Sequence, residues 1–225
     1  MNDRHRGDLV REDSIGAAWL AIAGVILEHG RATDYDGLPI RELEQATIEV
    51  AAPGPDDAVI AALADPERLA WMHTNFTDHA AVTELGGAAS YASRLYDYSR
   101  VGRDQVAWVI AKLRSDASSR SATITTFEPL TDTSYIPCVS VLDFWIPDGA
   151  VELVAYCHSI DFGTKGYGNL VELAALQHQV ARALGIAAGR LTMIVKSAHV
   201  YATEFDYMRA VRARPIEVSA PRSRT

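Results

Sequence analysis

The sequence predicts a single α/β domain built on one mixed sheet. Segments with helical periodicity alternate with short β-prone runs along the chain. Two of those runs flank Pro147-Asp148-Gly149, a hairpin signal that makes part of the sheet antiparallel. No internal repeat, linker or low-complexity block divides the 225 residues, so one domain spans 1–225.

The first element is a helix from about Ser14 to His29. Ile15, Ala18, Trp19, Ile22 and Ile26 recur at helical spacing, and Gly30 is a good stop. Residues 31–39 read as a loop, and Ala46–Val50 as a short strand ended by Pro53-Gly54-Pro55. Ala58–Met72 reads as helical with a break near Asp65-Pro66, and 73–90 as a loop containing Gly86-Gly87. Asp104–Arg114 is a helix with Val106, Val109, Ile110 and Leu113 on one face. A strand follows through Ala122–Phe127, then the hairpin strands Val139–Ile146 and Val151–His158. Asn169–Leu184 is the longest helix, closed by Gly185, and Arg190–Tyr201 the last strand. The tail after Pro215 reads as frayed.

Composition narrows the function classes. Apolar residues are 48% and charged residues 22%, the balance of a soluble globular domain. The net charge of -8 argues against a broad nucleic-acid interface, which needs a positive field. No apolar run reaches the roughly 18 residues of a membrane span. The polar N-terminus lacks a signal-peptide core, so the cytoplasm is the expected compartment. No metal-type Cys or His spacing occurs.

Cys138 follows Pro137 and opens a strand. A thiolate there can attack an electron-poor carbon if a cation lowers its pKa. An isolated strand cysteine is most often a small buried hydrophobe. The hairpin can also place Cys157 opposite Cys138, which leaves a disulfide as a third reading.

Four stretches carry a family resemblance. They are Ser119-Arg120-Ser121, Pro137-Cys138-Val139, Cys157-His158-Ser159-Ile160-Asp161 with Asn169 following, and Ser197-Ala198-His199-Val200-Tyr201. In order and near-family spacing they resemble the "SRR", "PCH", "QRSxDxFLGxPFN" and "GDAHIY" motifs of thymidylate synthases and the related cytidylate hydroxymethylases. Ser90-Tyr91 and Asp104-Gln105 also resemble family positions. The resemblance implies a thymidylate-synthase-like fold, with a mixed sheet covered by helices and a homodimer formed through the sheet. It also implies a one-carbon transferase acting at C5 of a pyrimidine nucleotide, with 5,10-methylenetetrahydrofolate as donor.

The implied roles follow position by position. Cys138 adds to C6 of the base, Asn169 reads its O4 and N3 edge, and Asp161 joins the proton network. His199 and Tyr201 bind the sugar hydroxyl. Ser159 and Arg120 bind phosphate, Arg120 reaching across from the second subunit. Tyr91 matches a tyrosine near the proton-transfer site, and Glu67 the general-base glutamate of "ELLW" with its register shifted by one. Bland alternatives stand beside these: Asn169 as a helix N-cap, Glu67 as a first-turn glutamate after Pro66.

The chain also departs from the family. His158 replaces an arginine that contacts the phosphate and helps ionise the cysteine. Ser121 replaces the second arginine of "SRR", a loss that Arg41 or Arg94 is a candidate to offset. Lys196-Ser197 replaces "GD", and Lys196 returns some positive charge. The region after Arg214-Pro215 is shorter than the family's folate-closing tail. The expected function is methylation or hydroxymethylation of a (d)UMP- or (d)CMP-like nucleotide, with a slight preference for hydroxymethylation and for uracil. The alternatives are a non-catalytic nucleotide-binding relative, or another C5 reaction without folate.

Overall fold

A computed structural model describes residues 7–215. Its strands are β1 (Leu9–Glu12), β2 (Arg31–Tyr35), β3 (Leu38–Val50), β4 (Ala122–Thr125), β5 (Val139–Trp145), β6 (Ala150–Cys157), β7 (Ile160–Asp161) and β8 (Ala187–Tyr201). The helices are α1 (Ile15–His29), α2 (Ala58–Leu63), α3 (Pro66–Thr77), α4 (Tyr91–Tyr96), α5 (Gln105–Ser115), α6 (Gly166–Leu184) and α7 (Phe205–Arg212). The sheet runs β1-β3-β8-β6-β5-β4, with β2 paired to β3 and β7 to β8. It is mixed: β8 lies antiparallel to β3 and parallel to β6.

The helices begin where the sequence supplies caps. Ser14 caps α1, and Asp57, Asp65 and Asp104 cap α2, α3 and α5 through backbone N–H groups. Pro66 sits at the start of α3, where its missing N–H costs nothing. Gly185 ends α6 at φ 74°, a conformation that favours glycine. α1, α5 and α6 bury their apolar faces against one side of the sheet. Trp19 joins α6 through a tilted ring contact with Tyr167 at 4.6 Å, and its indole N–H donates to the Phe162 carbonyl at 2.9 Å. On the other side, Tyr156 and Ile194 stay 42% and 39% exposed. Among the described residues no helix is long and apolar enough to cross a membrane.

Three expectations need correction. Residues 31–39 are not a loop but β2, a turn and the start of β3. Asp36 and Gly37 both have positive φ (52° and 78°), the type I′ geometry that closes a two-residue hairpin. The strand expected at Ala46–Val50 is the inner end of a 13-residue strand. Asn169 is no N-cap: α6 begins at Gly166, with Lys165 at the cap position. β1, α4 and α7 were not foreseen, being short elements whose stability comes from docking. The frayed tail expected after Pro215 lies outside the described residues.

One irregularity positions the site. On β3 the core residues are Leu43, then Ala46, Ile48 and Val50; on β8 they are Leu191, Met193 and Val195, then Ala198 and Val200. Strict alternation therefore slips by one in both strands at the same level, where Gln45 adopts φ 60°. Without that slip, His199 and Tyr201 would share the inward face with Val195. With it, they turn away from the helices.

Candidate active site

The β5–β6 hairpin positions Cys138. Val139, not Cys138, pairs with Cys157, and the His158 N–H donates to the Cys138 carbonyl at 3.0 Å. Cys138 thus falls just outside the ladder, half-buried, while Cys157 is fully buried in the core. Both cysteines are free, so the disulfide reading is set aside.

Burial pushes the Cys138 thiol up from its ordinary value, as does the Asp161 carboxylate. Lys165 pulls it down, and so does a hydrogen bond with Tyr135. Burial raises the phenols of Tyr91 and Tyr135, which also feel the sulfur, so both stay protonated and available as donors. The Tyr91 oxygen accepts the Val139 N–H at 3.0 Å, and its ring stacks on Phe76 at 4.5 Å.

β7 brings Asp161 beside His199 as a parallel pair. Its carboxylate accepts the Gly163 N–H at 2.8 Å and the Thr164 hydroxyl, holding the loop that leads into α6. His199 is 3% exposed, its Nδ1 is buried without a hydrogen-bond partner among the described residues, and burial holds its pKa down. Tyr201 meets its ring edge-on at 5.2 Å, and Tyr35 lies 5.6 Å away at the hairpin tip. Burial and then Asp161 raise the Tyr201 phenol to about 12. Asn169 is buried in α6, its amide nitrogen 3.6 Å from the Met72 sulfur.

Beside this cluster runs a groove of about 440 Å³ lined by Glu67, Arg68, Trp71, Leu85, Thr164 and Lys165, among others. Glu67 lies exposed in the first turn of α3, and Lys165 rests 5.2 Å from the Trp71 ring centre.

The phosphate candidates are spread more widely. His158 is half-buried beside Ser159, its Nδ1 3.4 Å from the Ser140 hydroxyl. Burial, then Lys196, lowers its pKa. Arg120 is exposed over Trp145 at 5.4 Å and donates to the Ser118 carbonyl at 2.9 Å. Arg41 donates to the Gly30 carbonyl at 3.4 Å. Arg94 is consumed structurally: it is 3% exposed, pairs with Asp132 at 2.7 and 2.8 Å and donates to the Thr126 carbonyl at 2.7 Å.

The structure thus gathers Cys138, Asp161, His199 and Tyr201, with the Tyr91 hydroxyl at the neighbouring Val139 N–H. Sequence reasoning missed Tyr135, Lys165 and Tyr35. A lysine at a helix N-cap was a usable signal, because a cation there opposes the helix dipole. Among the described residues no group of three or more His, Cys, Asp or Glu is placed to hold a metal ion.

Comparison with known proteins adds an independent line. The thymidylate synthase family profile matches residues 55–223. A Methanosarcina acetivorans protein, named provisionally as a thymidylate synthase, is 32% identical over 94% of this chain and 98% of its own. A Methanococcoides burtonii protein with the same provisional name is 31% identical over 93% and 97%. Thymidylate synthase 1/2 of Encephalitozoon cuniculi is 29% identical over 56% of this chain and 44% of its own.

Proposed function

Because the chain belongs to the thymidylate synthase family, we propose that it is a transferase modifying C5 of a uracil mononucleotide through addition of Cys138 to C6. The observation that carries this reading is a half-buried thiol sharing its surroundings with Asp161, Tyr201 and two further phenols, next to a buried His199 whose Nδ1 has no partner among the described residues. A buried polar atom left open is costly unless a ligand completes it. The ligand group suited to His199 and Tyr201 is a sugar hydroxyl.

In the reaction the Cys138 thiolate forms a bond to C6. The electrons of the C5–C6 double bond move to C5 and the C4 carbonyl oxygen, making C5 nucleophilic. Buried donors stabilise the developing oxyanion, and Asn169, with one donor and one acceptor, suits O4 and N3–H. After C5 gains its new substituent and loses its proton, expulsion of the thiolate restores the double bond.

5,10-Methylenetetrahydrofolate, once bound, would supply the carbon at the oxidation level of formaldehyde and, for a methyl product, the hydride that reduces it to methyl, whereas for a hydroxymethyl product water would add instead. The groove fits such a donor: Trp71 offers a face for a flat ring system, and Glu67 and Lys165 offer polar groups at its rim. Catalysis requires a homodimer formed through the sheet face that carries Tyr156 and Ile194, with Arg120 completing the partner's phosphate site. Methylation is favoured by the names of the relatives. Hydroxymethylation is a second reading, favoured by an open groove that admits water.

The test is incubation with dUMP, UMP, dCMP or CMP and 5,10-methylenetetrahydrofolate, followed by mass analysis. A C5-methylated uracil nucleotide is expected, and a hydroxymethyl product selects the second reading. Binding without any product would instead support a non-catalytic relative.

A further inference from the structure

We propose that Lys196, rather than His158, anchors the phosphate of the substrate. The inference rests on the mononucleotide reading above and adds the residue that selects the charged form of the ligand.

Strand register puts the two residues side by side. β6 and β8 are parallel, with Tyr156 opposite Ile194 and Cys157 opposite Val195. Lys196 is the next residue on β8, and His158 follows directly after the end of β6; the same offset resumes where Ile160 pairs with Ala198. The ammonium acts on the imidazole, lowering its pKa after burial has already done so. Ser159, the hydroxyl candidate for the same anion, follows directly in the chain.

The hydrogen bonds around His158 explain why it makes a poor anion ligand. The Ser140 hydroxyl donates to the Pro137 carbonyl at 3.1 Å, so its hydrogen is committed. In the tautomer that carries the ring proton on Nδ1, Ser140 accepts in its 3.4 Å contact with His158. A neutral imidazole protonated at Nδ1 presents a bare lone pair at Nε2. That lone pair repels a phosphate oxygen. In that tautomer His158 donates from Nε2 only as the cation, the form that burial and then Lys196 disfavour more than a backbone hydrogen bond at Pro137 favours it.

Lys196 has the opposite properties. It is exposed and, among the described residues, makes no ion pair. Arg190, six residues earlier on the same strand, approaches Glu152 at 3.7 Å, and Arg31 meets Glu42 and Glu44 at 3.1 and 3.2 Å. Lys196 thus leaves three N–H donors open to a ligand. Relative to the family arginine at position 158, the cation has moved to the neighbouring strand.

Calorimetric titration of dUMP and of deoxyuridine separates the possibilities. The wild type would be compared with Lys196→Met, Lys196→Arg, His158→Gln and the charge control Arg190→Met. Loss of a charge-assisted phosphate contact should weaken dUMP binding about 10- to 100-fold in Lys196→Met. Deoxyuridine affinity should not change, Lys196→Arg should restore most of the dUMP affinity, and Arg190→Met should resemble the wild type. His158→Gln should stay within about two-fold, the scale of a contact without net charge. A Lys196→Met protein that binds dUMP like the wild type, or an equal loss of dUMP and deoxyuridine, overturns the inference alone. So does a loss in His158→Gln matching that in Lys196→Met. A wild type that binds neither ligand overturns the mononucleotide reading and this inference with it.

Discussion

Cys138 and Cys157 sit on the two arms of one hairpin and differ in almost everything that governs a thiol. Cys157 pairs with Val139 inside the ladder and is sealed in the core, where burial pushes its pKa well up. Cys138 stands one residue outside the same ladder. Burial raises it too, but Lys165 and Tyr135 act in the opposite direction. One residue of register separates a packing atom from a candidate nucleophile. The lesson is that reactivity is set by exposure and partners rather than by residue type.

The comparison can be broken at several points. The largest expected effect is on alkylation by iodoacetamide. Cys138 should react in the native protein, and Cys157 only after opening, roughly a thousand-fold more slowly for a domain of ordinary stability. Mass mapping of the modified peptides checks this, and equal rates would erase the distinction. Next is stability. Cys157→Ser buries a hydroxyl in an apolar core and should cost about 1–3 kcal/mol in urea unfolding, while Cys138→Ser should cost under about 0.5 kcal/mol. Equal losses would make both cysteines packing residues.

Smaller effects sharpen the contrast. The Cys138 thiol is raised above its ordinary value, so the thiolate fraction is small at neutral pH and grows as pH rises. Its alkylation rate should climb about ten-fold per pH unit and keep climbing beyond the pH at which a free thiol levels off. A rate that is flat above neutrality would mean a lowered pKa. Lys165→Met should slow alkylation roughly two- to five-fold at fixed pH, as befits an exposed cation. No change would remove Lys165 from the thiol's surroundings.

Legibility followed the length of each pattern. α1, α5 and the β5–β6 hairpin combine clear periodicity with caps or turn residues, and the sequence locates them within about two residues. The β2–β3 hairpin was lost because RATDY carries little apolar alternation, although Asp36-Gly37 marked its turn. The sequence singles out Cys138, Asp161, His199 and Tyr201 by their chemically demanding side chains, and the fold brings these four together. The site was hidden where tertiary register decides. Nothing local shows that β6 and β8 bring His158 and Lys196 together, or that the slip near Gln45 turns His199 away from the core. Arg94 looked like a free cation in sequence, but folding commits it to Asp132.

The most direct measurement is release of tritium from C5 of labelled dUMP, in the wild type and in Cys138→Ser. Reversible addition at C6 makes the C5 hydrogen exchangeable, so the wild type should release label with saturable dependence on dUMP. Cys138→Ser should lose at least about a thousand-fold of that rate, because an alcohol without a strong base is a far weaker nucleophile, while Cys157→Ser keeps it. Tritium release that survives in Cys138→Ser, or a wild type that binds dUMP and releases none with or without 5,10-methylenetetrahydrofolate, would contradict the assignment of Cys138 as the nucleophile.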